Sequence, residues 1–442
     1  MLVRSYIITD SMSALYCLMN KLNLLLLSLC VVFTTRVVAE EANKLKLPDT
    51  EVLVNLHDSN DVSLYQYPAQ GNDLVIWVGA NGWQDRMIKM ARDIAAKGIE
   101  VWQIDFAEAL MLTSSSNFMR NLDARYVADI IDAAHRRTGK RVILFAQGYV
   151  AIPVLRGATL WQQHENHQGK LLGAVLFSPD LVTGLPELGK DPEYLPIVRN
   201  TAIPLMIYQG SLHGSPERFA RLVKELNSNN PNVYHQGLPG VTSIFYHDEN
   251  SPETLKMLQT LPQKTSELFT IFDSLSIQAA PTNYIQPSQV SEARVDNNLN
   301  AFAGNPKPLT IDLKDAHGKR FHLNDYRGKV TVVNFWATWC PPCVEEIPSL
   351  NRLREQMKGQ PFELISVNYA DSPKKIKEFM QKVNVEFPVL VDPNGKTAQQ
   401  WKVIGFPSTF VIGKDGNIKY GVNAAIHWDS PEVVNILKSL SQ

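Results

Sequence analysis

The sequence predicts an α/β protein built of two layered domains in tandem, a three-layer domain followed by a smaller one. Three observations carry this. Residues 50–272 alternate apolar strand-like runs with amphipathic helical stretches, the pattern of helices packed on the faces of a sheet. From about 275 to 307 both periodicities vanish and turn formers take over, as in a linker. Then a buried-strand run, a Cys-x-x-Cys turn and a helical pattern follow one another directly over 329–353.

Length and composition agree. The chain has 442 residues, enough for two or three domains. Its 43 basic and 44 acidic residues nearly cancel, so no nucleic-acid or charged-surface partner is indicated. Of four cysteines, Cys17 and Cys30 fall in the N-terminal stretch, which leaves Cys340 and Cys343 as the pair in the body. Such sparing use argues against a disulfide-stapled scaffold and for a dedicated reactive pair.

The N-terminal stretch, 1–39, reads as an export leader. Lys21 precedes the apolar run Leu22 to Phe33, and Val37-Val38-Ala39 offers small residues before Glu40-Glu41. The run is short for a bilayer span, and Met19 is the better-placed start. An uncleaved inner-membrane anchor is the alternative. Either way the body is expected in an extracytoplasmic compartment, the bacterial periplasm.

Within 45–274, Asp73 to Trp83 and Ile99 to Asp105 read as buried strands. A helix is expected over Arg125 to Arg137, then strands at Arg141 to Val150, Leu172 to Asp180 and Ile203 to Gly210. Order and spacing resemble an α/β-hydrolase. That family carries its nucleophile in G-x-S-x-G after the fifth strand, and here the matching stretch is Ala146-Gln147-Gly148-Tyr149-Val150. Glycine stands where the serine would. His213 falls at the acid position, and Pro239 to Ser243 places no histidine at the base position. The resemblance therefore implies the fold without the triad: a non-catalytic domain that binds substrate or positions its neighbour. Asp180 is a candidate acid on the alternative strand, but an acid without nucleophile and base hydrolyses nothing, and a hydrolase using Ser178 or Ser211 is the lesser alternative. His164 and His167 share a helix face but lack a third ligand, so no metal site is assigned.

The sharpest signal is Trp336-Ala-Thr-Trp339-Cys340-Pro341-Pro342-Cys343. A helix N-terminus lowers a thiol pKa through free N–H groups and the helix dipole, and the thiolate is what attacks disulfides. Strand, turn and helix mark a redox pair, whereas a structural zinc site needs two more ligands that the sequence does not offer. Cys340, at the exposed helix start, is the expected nucleophile. Cys343, one turn in, is the expected resolving thiol. The two prolines remove backbone N–H groups from the turn, which points to a weakly acidified Cys340 and a reductase.

Leu309 to Asp315, Phe321 to Lys329, Phe387 to Val391 and Gly405-Phe406-Pro407-Ser-Thr-Phe-Val-Ile412 complete a resemblance to the TlpA/ResA branch of the thioredoxin family over 307–442. The resemblance implies a thioredoxin-like fold, a cis peptide bond at Pro407, and a redox-active Cys340–Cys343 disulfide. It also implies that Phe406 and Pro407 hold substrate backbone beside the cysteines. It places Asn334 where thioredoxin has a buried acid, and Glu346 in the family's C-x-x-E-x-P pattern. Glu346 is then either the base that replaces that acid or a solvated first-turn glutamate. Trp336 and Trp339 are expected to pack around the cysteines. The function expected is an exported thiol-disulfide oxidoreductase acting on protein disulfides without a cofactor. Its electrons would come from a membrane donor of the DsbD type, and cytochrome c maturation is one family role.

Overall fold

Strands that alternate buried and exposed positions lie at a sheet's edge, and runs buried throughout lie at its centre. The computed structural model follows this rule. It describes residues 46–442 apart from 49, 81, 114–115, 164–169, 185, 187, 213, 242–243, 246–250 and 276–296. The leader with Cys17 and Cys30, most of the linker, and His164, His167 and His213 lie outside the described residues.

Strands β1 (Glu51–Asn55) and β2 (Asp61–Tyr67) are an antiparallel hairpin whose alternate side chains are buried. β3 (Asp73–Gly79), β4 (Ile99–Asp105), β5 (Arg141–Gln147) and β6 (Leu171–Phe177) are buried almost end to end. With β7 (Leu205–Gly210) and β8 (Val233–Leu238) they form an eight-stranded sheet in the order 1-2-4-3-5-6-7-8, parallel from β4 through β8. Helices cover both faces. Residues Ala124–Thr138 and Ala151–Gln163 pack on one, where Leu74, Ile76, Val142 and Leu144 meet them. Asp85–Ala95 and Pro252–Asp273 lie on the other, against Trp77, Phe145, Phe177 and Phe269. Each fully buried side chain of this kind contributes roughly 1.5–3 kcal/mol against exposure.

The second sheet joins β12 (Val330–Trp336), β13 (Phe362–Tyr369), β14 (Val389–Asp392), β15 (Ser408–Ile412), β16 (Ile418–Val422) and the short β9 (Asn300–Ala301). Its order is 14-13-12-15-16-9, with β12, β13 and β14 parallel and the rest antiparallel. β10 (Asp312–Lys314) and β11 (Arg320–His322) pair separately. β9 corrects the sequence reading of 275–306 as linker throughout: Asn300 and Ala301 pair with Gly421 and Tyr420. A two-residue strand carries no readable periodicity.

Pro48–Gln442 is one compact unit, so the two sheets do not stand apart. Leu188, from the first half, is buried in the core of the second beside Phe321, Phe335 and Phe410. Gly189, at φ +89°, backs onto Gly304; a Cβ there would sit 2.3 Å from the Gly304 nitrogen, so the two segments touch backbone to backbone. Tyr369 Oη donates to the Leu212 carbonyl at 3.1 Å, and Asn423 Nδ2 to the Pro186 carbonyl at 2.7 Å. No helix among the described residues is long and apolar enough to cross a membrane.

Candidate redox site and the cleft beside it

β12 runs buried into Ala337, the chain turns through Thr338 and Trp339, and the helix Pro341–Gln356 begins. Cys340 is its N-cap, and its Sγ accepts a hydrogen bond from the Cys343 N–H at 3.3 Å. Pro341 and Pro342 occupy the first helical positions, where a missing N–H costs least. Cys340 and Cys343 are joined by a disulfide. The expected contrast in exposure is small: Cys340 is 5 % exposed and Cys343 1 %. The exposed group at the site is Trp339, 49 % accessible and edge-on to Phe406 with ring centroids 5.9 Å apart. Trp336 packs with both cysteines, and its Nε1 donates to Ser366 Oγ at 3.1 Å. The Thr338 N–H donates to the buried carboxylate of Asp371, which Lys375 holds at 2.8 Å, fixing the turn ahead of the cysteines.

The Phe406–Pro407 peptide bond is cis. Phe406 lies between Trp339 and Tyr369, 4.8 Å from the latter's ring. Residues 405–407 lead into β15, which pairs antiparallel with β12, so this loop and the cysteine turn meet at one end of the sheet.

Glu346 lies one helical turn beyond Cys343 and is 3 % exposed, which corrects the solvated alternative. Its Oε1 accepts from Asn334 Nδ2 at 2.8 Å and its Oε2 from Trp428 Nε1 at 3.0 Å. Asn334 also donates to Thr409 Oγ1 at 2.9 Å. Burial pushes the Glu346 pKa up to about 7, although both hydrogen bonds favour the charged form. A carboxyl held near neutrality can take or give a proton in the working pH range. Trp428 and Thr409 had no signal in sequence, because nothing local ties them to the cysteines.

Beside this site lies a cleft of about 400 Å³, and its walls come from both sheets. One wall carries Gly148, Tyr149, Ser178 and Arg218; the other carries Trp339, Tyr369 and Phe406. Gly148 follows β5 at φ +56° and starts the turn into Ala151–Gln163. A Cβ built there meets nothing within 4 Å, so the position faces open space. Asp180 is paired with Arg120 at 2.8 Å. Ser178 Oγ accepts from the Gly210 N–H at 3.2 Å and Ser211 Oγ from the Gly240 N–H at 2.9 Å. Both hydroxyls thus brace loop backbone.

Residues 304–421 match the AhpC/TSA family. A thiol-disulfide oxidoreductase, ResA, of Bacillus thuringiensis subsp. konkukian is 36% identical over 104 residues, which are 24% of this chain and 60% of the relative. ResA of Bacillus subtilis is 36% identical over 106 residues, 24% of this chain and 59% of the relative. The match thus spans about three fifths of the length of these curated relatives. A crystal structure of a thiol:disulfide interchange protein of the thioredoxin family from Chlorobium tepidum overlays 31% of this chain and 97% of its own, at 25% identity and a TM-score of 0.27. The C-terminal region is accordingly an AhpC/TSA, thioredoxin-like domain related to the ResA oxidoreductases.

Proposed function

We propose that the protein is an exported thiol-disulfide oxidoreductase that reduces protein disulfides through Cys340 and Cys343. The observation that carries it is the cysteine pair capping a helix beside a cis-proline loop, in a region related to named oxidoreductases. In the reduced protein, the Cys340 thiolate attacks one substrate sulfur, and the other leaves as a thiolate. Cys343 then attacks Cys340 Sγ, the second substrate sulfur leaves, and the protein keeps the disulfide. Two electrons pass from the pair to the substrate. Glu346 accepts the Cys343 proton as that thiol becomes the attacking thiolate, and its pKa of about 7 suits the task. Phe406 and Pro407 hold substrate backbone, and Trp339 covers the nucleophile.

Domain limits of 45–274 and 307–442 go with this reading, as do the periplasm, the leader as signal or tether, and a DsbD-type donor to re-reduce the pair. Cytochrome c maturation is one setting consistent with it. Substituting Cys340→Ser tests the proposal: turnover in an insulin or glutathione-disulfide assay should vanish, and retained turnover would refute it.

A second reading concerns the first sheet. Its strand order and the turn after β5 support an α/β-hydrolase-like domain that has lost its nucleophile and serves as a binding module. The shared cleft favours this, because whatever binds at Gly148 lies beside Trp339 and Phe406. An esterase using Ser178 or Ser211 is disfavoured by their structural hydrogen bonds. A serine-directed fluorophosphonate probe should leave both unlabelled.

A further inference from the structure

The charged side chains that line the shared cleft are unequally paired. Among its described lining residues, Asp180 and Arg218 are the charged ones. Asp180 has Arg120 at 2.8 Å. Arg218 is less well served. Its side chain is 14 % exposed, and its carboxylate partner, Asp191, reaches Nε only at 3.9 Å. Asp191 is held instead by Arg221 at 2.8 Å. The Arg218 Nε and Nη1 atoms are buried without a hydrogen bond. Burial lowers the Arg218 pKa, the mark of a cation removed from water without full compensation. Around it the lining is mostly apolar, with Tyr194 and Phe219 on the same side, Trp339 and Phe406 at the redox end, and Gln209 and Ser215 among its neutral polar groups.

We propose that the cleft binds the part of the disulfide substrate next to its reacting sulfur, and that Arg218 is the counter-ion for a carboxylate on it. This rests on the oxidoreductase reading above and names the substrate class for the same site. A carboxylate fits because the guanidinium is a permanent cation short of negative charge; with Nε and Nη1 closed to solvent, the contact falls to Nη2. A cavity of about 400 Å³ is the size of small-ligand sites and holds a short peptide segment rather than a folded surface. Two sources share this chemistry: a low-molecular-weight peptide disulfide, or an acidic segment flanking a protein cysteine. Arg218 is a specificity residue here and takes no part in the sulfur exchange.

The test uses the full chain, pre-reduced and assayed with dithiothreitol as electron source. Substrates are oxidised glutathione, which carries carboxylates, and the neutral bis(2-hydroxyethyl) disulfide. For Arg218→Met, the ratio of kcat/KM for oxidised glutathione to that for the neutral disulfide should fall about tenfold, mainly through KM. Arg218→Lys should recover part of it. An unchanged ratio, or equal losses on both substrates, overturns the proposal. Acidic and amide-flanked protein cysteines (Glu-Cys against Gln-Cys) form the second arm. Discrimination there identifies a protein source, and discrimination on glutathione alone identifies the small disulfide. Calorimetry with S-methylglutathione, which cannot exchange, separates the two layers of the argument. Binding that Arg218→Met abolishes supports the cleft even if turnover is absent, a result that would sink the oxidoreductase reading instead. No binding by the parent protein, with no substrate discrimination, ends the cleft proposal.

Discussion

Two strands of this molecule, β5 and β12, run buried into a tight turn and then a helix, and of the two turns the second carries a cysteine pair. After β12 stands Cys340 with its partner one turn on. After β5 stands Gly148, at φ +56° and facing open space. The backbone arrangement is alike; the chemistry depends on what the turn carries. A strand-to-helix turn presents a side chain and a helix N-terminus together, which serves catalysis where the side chain reacts and binding where it does not. Both turns line or adjoin one cleft, and in the proposed function one wall reacts while the other holds the substrate.

The sharpest way to break the comparison is substitution at the two turns. Cys340→Ser should cut disulfide turnover at least a thousandfold, measured by insulin reduction, because the thiol it leaves, Cys343, is 1 % exposed and has no partner to resolve a mixed disulfide. Gly148→Ser should leave ester hydrolysis undetectable with p-nitrophenyl acetate, since no histidine is among the described residues lining the cleft. Hydrolysis by that variant would show the first wall to be a latent catalytic site.

Next in size is Glu346. Its folded pKa of about 7 lies above the ordinary carboxyl value of 4.5, so its protonated form is the one the fold favours. Its contribution to stability is whole below pH 4.5 and is lost as pH rises through 7, on the order of 3 kcal/mol in all. Glu346→Gln should remove that slope between pH 4.5 and 7 in urea-unfolding titrations. It should also flatten the pH dependence of mixed-disulfide resolution. A slope unchanged by the substitution would assign the titration elsewhere.

The joint between the walls comes next. Leu188→Ala should destabilise the fold by about 2–5 kcal/mol, because it leaves a cavity in the second half's core. Denaturant unfolding followed by Trp fluorescence reads this. Tyr369→Phe removes one hydrogen bond to Leu212 and should cost about 1 kcal/mol. If both variants unfold with unaltered midpoints, the halves are not mutually supporting.

How much of this was legible beforehand follows the same divide. The redox wall was readable because strand, cysteines and helix are contiguous and each step is local. The central strands of the first sheet were readable from their apolar runs, with ends overrun: Asp73–Gly79 stops short of Trp83, and Arg141–Gln147 gives way to a 3₁₀ turn at Gly148–Val150. Glu346's burial was hidden, because it depends on Trp428, 82 residues away. Arg218 was hidden too: it sits in an amphipathic helix, Pro216–Leu226, whose pattern gives no hint that it lines a cleft with residues of the second half. Contacts between sequence-distant side chains make such sites, and periodicity does not report them.

The most direct test of the central claim is the reduction potential of the Cys340–Cys343 pair in the full chain, by equilibration in dithiothreitol or glutathione buffers. The account predicts a reversible two-electron couple at or below the thioredoxin value of about −270 mV. A potential close to the DsbA value of about −120 mV, or no reversible couple, would contradict it.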